Sequence, residues 1–264
     1  MDDQVDETIP GLAITRADSV LTIRFNRPDA LNAFTGEMAV GTAGLLNEAS
    51  VRDDVRVVVL TGTGAAFSTG ADIAGEAAHE GFDVRALDVA NLLIRAVVQC
   101  DKPVVAGVNG VAAGVGLSVA LASDLAVCAE SAAFLLAFAR VGLMPDGGAS
   151  ATVAASIGRA RAMRLALLAE PLPGREAYDA GLVSHVFADD EYVDGLAGIV
   201  KRLRHGAPLA QAATKRAINA AALAGLEPAL ENERTTQTML LRTGDVAEGM
   251  RAFAEKRHPR FRGE

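Results

Sequence analysis

Apolar runs of strand length alternate with segments of helical period in the first part of this chain, and no other feature limits its possible folds as strongly. Residues 55–60 form a continuous β-branched run of the buried-strand type, after a segment of helical spacing that begins beyond Thr35. Residues 104–108 form a second such run, after an amphipathic helical pattern over 87–97. Because helices and strands alternate, we predict an α/β fold.

The two ends of the chain depart from this alternation. Near the N-terminus, residues 12–15 and 20–25 are two β-type runs that we predict to pair as a hairpin. Farther along the chain the pattern becomes almost entirely helical, with one short strand predicted over 183–187. We therefore predict an α/β core over residues 1–200 and a helical C-terminal lobe over residues 201–264.

The composition argues against nucleic acid as a partner. The 264-residue chain carries a net charge of −8, whereas neutralising phosphates requires an excess of Lys and Arg. Aromatic residues make up only 4% and Trp is absent, so a platform for stacking bases is not expected. Half of the residues are hydrophobic, which predicts a globular protein. Because the net charge is negative, any anionic ligand must be bound by local cations.

Three further features lead us to expect a cytoplasmic protein. The first four residues are acidic and polar, where a secretory signal would be basic and then apolar. The stretch 104–122 is long enough to raise the question of a membrane span, but it contains Asn109 and four glycines, so we expect a buried strand and a core helix. Cys100 and Cys128 lack the spacing of a metal site, so we expect buried, reduced thiols and no bound metal.

Three glycine-containing regions are candidate sites, and two of them are weak. Residues 62–67 follow a strand as a dinucleotide fingerprint would, but a phenylalanine replaces the third glycine. Residues 116–120 form a degenerate nucleophile elbow around Ser118, with His185 or His205 as the candidate base. Ser118 is expected inside a helix, where a nucleophile elbow would need a corner between strand and helix.

The third candidate is a pair of loops, residues 66–73 and 108–117. Each follows a buried strand and is expected to expose unpaired backbone amides, the second at a helix start where the dipole is positive. Two such amides directed at one oxygen form an oxyanion hole. From the residues alone, ordinary tight turns explain these loops as well, so both interpretations stay open.

Six short motifs follow one another along the chain. They are Asn26-Arg27-Pro28, the segment 67–73, Val108-Asn109-Gly110, Ala122-Ser123-Asp124, Gly142-Leu143-Met144-Pro145 and the segment 248–257. Their order and spacing resemble the crotonase superfamily, the enoyl-CoA hydratase and isomerase group, from about residue 12 to the end. The resemblance implies a crotonase-like spiral of ββα units with a helical C-terminal trimerisation lobe. It also implies an acyl-CoA substrate, no separate cofactor, and a homotrimer or a dimer of trimers.

The resemblance further implies which residues form the site. The oxyanion donors would be the amides of Ala71 and Val115; at the second position the family commonly has glycine, and the valine side chain narrows the thioester pocket without removing the donor. Contacts to CoA would come from two separate parts of the chain. The CoA-contacting residues are expected to be Asp29, Ala30, Asp72, Ile73, Phe253 and Lys256, with Arg257 as a neighbouring cation.

Two departures from the family pattern bear on the reaction. Where hydratases of this family use two glutamates, this chain has Ser118 and Phe138, which we assign to the acyl pocket with Leu143. A lone hydroxyl is a poor base near neutral pH, and phenylalanine has no proton to transfer. Efficient hydration of a double bond is therefore disfavoured.

One carboxylate, Asp146, remains in the right neighbourhood. The resemblance implies a proton shuttle, as in some isomerases of the family, or a nucleophile, as in thioester dehalogenases. An aspartate after proline and before two glycines is equally suited to a turn and a helix N-cap. If it is a shuttle, apolar walls from Phe138, Val115 and Leu143 are expected to raise its pKa.

Isomerisation of an enoyl-CoA is the leading hypothesis, because one carboxylate beside an oxyanion hole suffices to move a double bond. A weak hydratase is the second hypothesis, and a non-catalytic acyl-CoA-binding protein is the third. Glu76, His79 and Glu80 are backup acids or bases on the loop that follows residue 73. Asp124 is expected to be a structural hydrogen-bonding residue.

Overall fold

The strands lie in two sheets and alternate between them along the chain. The computed structural model describes residues 6–72 and 83–264. Its strands are Leu12–Ala17 (β1), Val20–Phe25 (β2), Val57–Gly62 (β3), Ala66–Ser68 (β4), Val104–Val108 (β5), Val111–Ala113 (β6), Leu125–Ala129 (β7), Ala133–Leu135 (β8), Leu172–Pro173 (β9) and His185–Phe187 (β10). The order is β1-β2-β3-β5-β7-β10 in the larger sheet and β4-β6-β8-β9 in the smaller one.

Helices follow the pairs of strands. They span Gly36–Val51 (α1), Val84–Gln99 (α2), Val115–Ala122 (α3), Ala149–Leu168 (α4), Gly174–Ala180 (α5), Tyr192–Arg204 (α6), Pro208–Ala222 (α7), Leu226–Leu240 (α8) and Gly244–Ala254 (α9). The units β3-β4-α2, β5-β6-α3 and β7-β8-α4 each place one strand in each sheet, parallel to its neighbours from the other units. The predicted α/β class and the spiral of ββα units are therefore confirmed.

Strand β3 lacks the usual apolar and polar alternation because both of its faces are covered. Val58 and Leu60 belong to the main core, which α1 and α2 help to form. Val57 and Val59 face the opposite side, in a second core that includes Tyr192 of α6. In a strand buried on both faces, every apolar side chain stabilises the fold when it is removed from water, so the sequence of the strand is a continuous β-branched run.

The predicted N-terminal hairpin is confirmed, with Leu12 opposite Phe25. The interpretation of residues 66–73 and 108–117 as two loops that follow strands was wrong in part, because β4 and β6 lie within them and pair with each other. Both strands are three residues long, too short to show a period of two. They become strands only by pairing with segments that are distant in sequence.

The C-terminal part of the chain is helical, as predicted. Residue 201, the predicted boundary, falls within α6, whose Ile199 belongs to the second core. The division into two domains and the role of the second in trimerisation stay predictions. Within the described residues, no helix combines the length and apolar character needed to span a bilayer.

A buried ion pair ties α7 to the core. Lys215 Nζ lies 2.9 Å from Asp124 Oδ2, with side-chain exposures of 7% and 19%, and it also donates to the carbonyl of Val97 at 3.0 Å. The same Asp124 oxygen accepts the backbone amide of Val104 at 2.7 Å. Asp124 therefore links the start of β5 to a helix more than 80 positions away, which is the structural role expected of it.

We expect Lys215→Met to lower the free energy of unfolding by about 3–5 kcal/mol, because it leaves Asp124 in a largely buried position without its cation. The neighbouring Arg216 pairs with Asp101 at the exposed surface, so Arg216→Ala is the matched control and should cost less than about 1 kcal/mol. Urea denaturation of both variants measures the difference. Equal losses would contradict the structural importance of the buried pair.

Candidate active site

The amide of Ala71 is left free by the way its neighbours pair. Phe34 and Ala71 form a parallel bridge in which Phe34 N donates to Gly70 O at 2.7 Å and Asp72 N donates to Phe34 O at 3.0 Å. In this pairing the N–H of Ala71 points to the side opposite Phe34. It has no hydrogen-bond acceptor among residues 6–72 and 83–264.

The amide of Val115 is free because of its place in a helix. Val115 is the first residue of α3, after Gly114, and the first amides of a helix have no intrahelical acceptor. In the part of the chain that the structure describes, this N–H has no acceptor either, whereas the amides of Leu117 and Ser118 donate to Gly114 O. The positive end of the helix dipole strengthens it as a donor to an anion.

Glycines bring these two amides to one place. A Cβ at Gly70, which has a φ of +97°, would lie 3.0 Å from Ala113 O and 3.1 Å from Val115 N. Another at Gly116 would overlap the carbonyl oxygen of Ser68 in β4. The end of β4 and the first turn of α3 are therefore in direct backbone contact. The two predicted loops meet, and each contributes one unpaired amide.

Asp146 lies beside the same turn of α3. The hydroxyl of Ser118 donates to the main-chain carbonyl of Asp146 at 2.7 Å. A Cβ at Gly147 would lie 3.2 Å from Val115 Cγ2 and 3.0 Å from Ser118 Cβ. The structure therefore brings together Val115, Ser118 and Asp146, three residues that the sequence analysis assigned to one site.

The side chain of Asp146 does not cap α4. Gly148 is the N-cap residue of that helix, and it makes no capping bond through a side chain. Glu233 of α8 accepts the first free amides in its place, from Gly148 N at 2.7 Å and from Ser150 N at 3.0 Å. The N-cap role that the sequence left open for Asp146 is thus filled by another residue. The turn is present, because the main-chain carbonyl of Asp146 accepts the amide of Ala149 at 3.3 Å across two glycines of positive φ.

The Asp146 carboxyl group is buried, with an exposed fraction of 8%. Burial raises its pKa to about 7, and the hydrogen bond from Gln237 Nε2 to Asp146 Oδ2 at 3.1 Å opposes this rise. The negative charge of Glu233 acts in the same direction as burial. A carboxyl group with such a pKa is able both to accept and to donate a proton near neutral pH.

The predicted acyl-pocket residues lie next to the converging segments. Phe138 is buried in the 3₁₀ helix Ala137–Val141, and its Cζ atom is 3.9 Å from the position of a Cβ at Gly114. Leu143 is half-buried, and its amide donates to Phe138 O at 3.0 Å. Ser118 is fully buried, so its hydroxyl is committed to the interior.

The residues expected to contact CoA are only partly brought together. Asp29 and Ala30 form the 3₁₀ helix Pro28–Ala30, and Asp29 is exposed. Asp72 pairs with Arg27, whose Nη1 lies 2.9 Å from Asp72 Oδ2, so this carboxylate orients a cation in the same neighbourhood. Ile73 lies outside the described residues, as do the backup candidates Glu76, His79 and Glu80.

The tail residues lie near the end of α9, a helix that packs on the 3₁₀ helix Ala137–Val141. Phe253 is 61% exposed, and Lys256 is exposed without an ion pair in the described ranges. Arg257 binds Glu248 at 2.6 and 2.8 Å, and this bonding holds the pKa of Glu248 down at about 2. In this structure Lys256, and not Arg257, therefore offers an uncommitted cation.

The two weaker readings of the sequence are not supported. Gly62 and Gly64 lead into β4, not into a helix, so no helix N-terminus is available to bind a pyrophosphate there. Among the described residues the hydroxyl of Ser118 bonds to no histidine, and it donates to Asp146 O instead. His185 Nδ1 lies 3.1 Å from Ser184 Oγ and His205 Nδ1 lies 2.7 Å from Lys201 O. A serine nucleophile would need a base within hydrogen-bond reach.

Sequence reasoning missed Glu233 and Gln237. Together with Leu226 and Leu230 they form the buried stripe of α8, at intervals of four, three and four residues. Two polar residues within an apolar helical stripe were the available signal, because buried polar groups need partners. Their partners lie on the loop that carries Asp146, which only the tertiary structure brings close.

Comparison with known proteins gives one consistent family. The family model for enoyl-CoA hydratase/isomerase matches residues 15–264. The 1,2-epoxyphenylacetyl-CoA isomerase of Escherichia coli K12 is 36% identical, over 93% of this chain and 95% of its own. A probable enoyl-CoA hydratase of Rhodobacter capsulatus is 37% identical, over 94% and 96%. The crystal structure of an enoyl-CoA hydratase from Mycobacterium avium subsp. paratuberculosis K-10 is 44% identical, with a TM-score of 0.91, over 96% of this chain and 99% of that chain.

The raised pKa of Asp146 predicts a pH-dependent effect of Asp146→Asn on stability. The carboxyl group holds its proton up to a pH of about 7 when folded, against an ordinary pKa of 3.8. The folded state therefore binds more protons between these values, and this group's contribution to stability is lost as pH rises through 7. We expect Asp146→Asn to stabilise the protein relative to wild type at pH 8, by up to roughly 4 kcal/mol, and much less at pH 4.5.

Urea denaturation at the two pH values measures this difference. Asp53→Asn, at an exposed position before β3, is the control for removing a carboxylate. A difference between Asp146→Asn and wild type that is the same at both pH values would contradict the prediction.

Proposed function

Because this chain belongs to the enoyl-CoA hydratase/isomerase family, we propose that it acts on an acyl-CoA thioester through an enolate and isomerises the double bond of an enoyl-CoA. One observation carries the proposal: Asp146, a residue with a buried carboxyl group, lies with its main chain beside the helix turn that presents the free amide of Val115. Proton abstraction next to a thioester requires this pairing of a proton acceptor with an oxyanion donor.

The proposed reaction transfers one proton within the substrate. Ionised Asp146 removes a proton from carbon 2 of a β,γ-enoyl thioester, and the electron pair moves onto the carbonyl oxygen. The amides of Ala71 and Val115 stabilise that negative charge. The neutral carboxyl group then returns the proton to carbon 4, and the double bond lies between carbons 2 and 3. The carboxylate is regenerated, so the reaction balances without a co-substrate.

The environment of Asp146 supports this role. An acid or base works best when its pKa is close to the working pH, and burial raises the pKa of Asp146 to about 7. Val115 lies beside Gly147, Phe138 lies beside Gly114, and Leu143 bonds to Phe138 through its amide. All three side chains are apolar, so we expect them to limit the access of water to the enolate. The E. coli relative, 36% identical to this chain, is named 1,2-epoxyphenylacetyl-CoA isomerase, which supports isomerisation of a CoA thioester in general and not the shift of a double bond in particular.

Hydration is the second candidate, because the R. capsulatus relative is named a probable enoyl-CoA hydratase. It would need a group that activates water. Ser118 donates its hydroxyl to the carbonyl of Asp146, and Phe138 has no proton to give. These two positions therefore favour isomerisation over hydration, and binding of acyl-CoA without turnover is the third candidate.

We extend the proposal to the rest of the ligand and to the assembly. The CoA moiety would contact two groups of residues, one near the end of β2 and the end of β4 and one in the tail. They are Asp29, Ala30, Asp72 and Ile73, and Phe253 and Lys256. A cytoplasmic homotrimer or dimer of trimers would bury the exposed apolar side chains of the C-terminal helices, such as Leu209, Ile218 and Met239.

We expect Asp146→Asn to lower the rate of isomerisation of β,γ-enoyl-CoA by at least roughly a hundredfold, because amides do not accept a proton as carboxylates do. Absorbance assays with β,γ-enoyl-CoA and with α,β-enoyl-CoA, run separately, measure isomerisation and hydration. Asp53→Asn should turn over like wild type. Isomerisation unchanged in Asp146→Asn would rule out the shuttle; hydration alone would favour the second candidate, and acyl-CoA binding without turnover the third.

Gly70→Ala tests the oxyanion hole. The added Cβ would press on Ala113 O and Val115 N, which separates the two amides, so we expect turnover to fall by roughly 10²–10³-fold. Gly181→Ala places a Cβ at a similar φ of +83° with no atom closer than 3.6 Å, so it carries the same backbone strain without disturbing the site. If both variants fold and their turnover falls by the same factor, the amides do not act as proposed.

A further inference from the structure

Helix α8 places two polar residues in the protein interior. Glu233 is 1% exposed and Gln237 is 0% exposed. Burying a carboxylate and an amide costs free energy unless hydrogen bonds replace those to water. All of their side-chain hydrogen bonds within the described residues go to one short segment, residues 144–150, which contains Asp146.

The orientation of the Gln237 amide is determined by its contacts. Its Oε1 atom accepts the amide of Met144 at 3.0 Å, and its Nε2 atom donates to the carbonyl of Met144 at 2.9 Å. A flipped amide would place its oxygen against the carbonyl oxygen of Met144 and its N–H group against the N–H of the same residue. Nε2 is therefore the atom that faces Asp146, and it donates to Oδ2 at 3.1 Å.

This bond leaves the two oxygens of Asp146 in different states. Oδ2 is held by Gln237, whereas Oδ1 has no hydrogen-bond partner in the described part of the chain. Ser118 holds the main-chain carbonyl of the same residue. One carboxylate oxygen is thus anchored from behind, and the other remains available for a reacting proton.

Glu233 holds the other side of the segment. Its two oxygens accept Gly148 N, Ser150 N and the hydroxyl of Ser150, at 2.7, 3.0 and 2.5 Å. Burial raises the pKa of Glu233, and the three donors together with the N-terminus of α4 oppose this rise. When Glu233 is ionised, its negative charge lies behind Asp146.

We propose that Gln237 and Glu233 are positioning residues that act on the substrate through Asp146. Gln237 orients the carboxyl group of Asp146, and Glu233 anchors the segment behind it and places a negative charge there. This inference rests on the proposed function, in which Asp146 moves the proton. Their electrical effects are opposite: the N–H of Gln237 lowers the pKa of Asp146, and the charge of Glu233 raises it. The side chains packed against this segment from α2 and α3 are Ile94, Val115 and Ser118, which carry no charge.

Because Gln237 and Glu233 shift the pKa of Asp146 in opposite directions, titration of Asp146 distinguishes positioning from a merely structural role. Titration of the Asp146 carboxyl carbon is followed by NMR in protein labelled with ¹³C-aspartate, with Asp146→Asn identifying its signal. We expect Gln237→Met to move the midpoint to higher pH and Glu233→Gln to move it to lower pH, each by several tenths of a pH unit or more. Glu231→Gln, an exposed change of the same charge on the same helix, should leave it unmoved.

Turnover supplies the second readout. In each variant we expect the rising limb of the plot of kcat against pH to move in the same direction as the titration midpoint of Asp146. In Gln237→Met we also expect kcat to fall roughly tenfold or more with KM changed far less, because orientation is lost and binding is not. Gln237→Glu keeps the shape of the side chain and replaces the donor by an acceptor, so it should shift the midpoint upward if Gln237→Met does not fold.

Each outcome has one meaning for the inference. Midpoints that stay in place, or that move in the same direction in Gln237→Met and Glu233→Gln, would overturn it. Midpoints that move apart in a protein without isomerase activity would uphold the positioning of Asp146 and refute the proposed function. The titration uses the full-length protein and needs no substrate, so the two failures are separable.

Discussion

Two segments of main chain can come within hydrogen-bonding range of one ligand atom only where side chains do not hold them apart, and the site depends on this constraint. Gly70 and Gly116 supply it, because a Cβ at either position would press on the facing backbone. The spiral makes the contact possible. Strands β4 and β6 are parallel neighbours in the smaller sheet, so the segments that follow them emerge at the same edge.

The second essential feature is that C-terminal helices complete the interior with polar groups. Lys215 of α7 pairs with Asp124 at the start of β5, and Glu233 and Gln237 of α8 bind the segment around Asp146. Buried polar contacts of this kind are costly when incomplete, so they specify one arrangement of helix and core more sharply than apolar packing does. The region predicted as a lobe for oligomerisation thus also forms part of the wall behind the site.

A buried carboxyl group with a raised pKa makes the folded state less stable than an apolar or permanently neutral side chain would. Asp146 is such a group, and nothing in its hydrogen bonding offsets the burial fully, since Gln237 donates a single bond to it. Structural carboxylates are usually stabilised more completely, as Glu233 is by three donors. Burial raises the pKa of both acids, but within the described residues Glu233 accepts three hydrogen bonds through its side chain and Asp146 accepts one.

Local sequence alone determined the class of fold. Continuous β-branched runs separated by amphipathic segments predict the alternation of strand and helix, because burial on both faces of a strand imposes that composition. The resemblance to the crotonase superfamily, which six motifs carry, further implied the spiral, the two amides and a role for Asp146. Strands β4, β6 and β9 were not predicted, because segments of two or three residues carry no period of their own. Strand β10 is equally short and was predicted over 183–187 within a helical region.

Tertiary structure decided everything that depends on contacts between remote positions. It showed that Asp146 is not the cap of α4, since Glu233, more than 80 residues away, accepts those amides. It also placed Gln237 against the carboxyl group of Asp146, which the spacing along either segment did not indicate. Sequence patterns report how each segment buries its own side chains, whereas the partner of a buried polar group is set by how the segments pack.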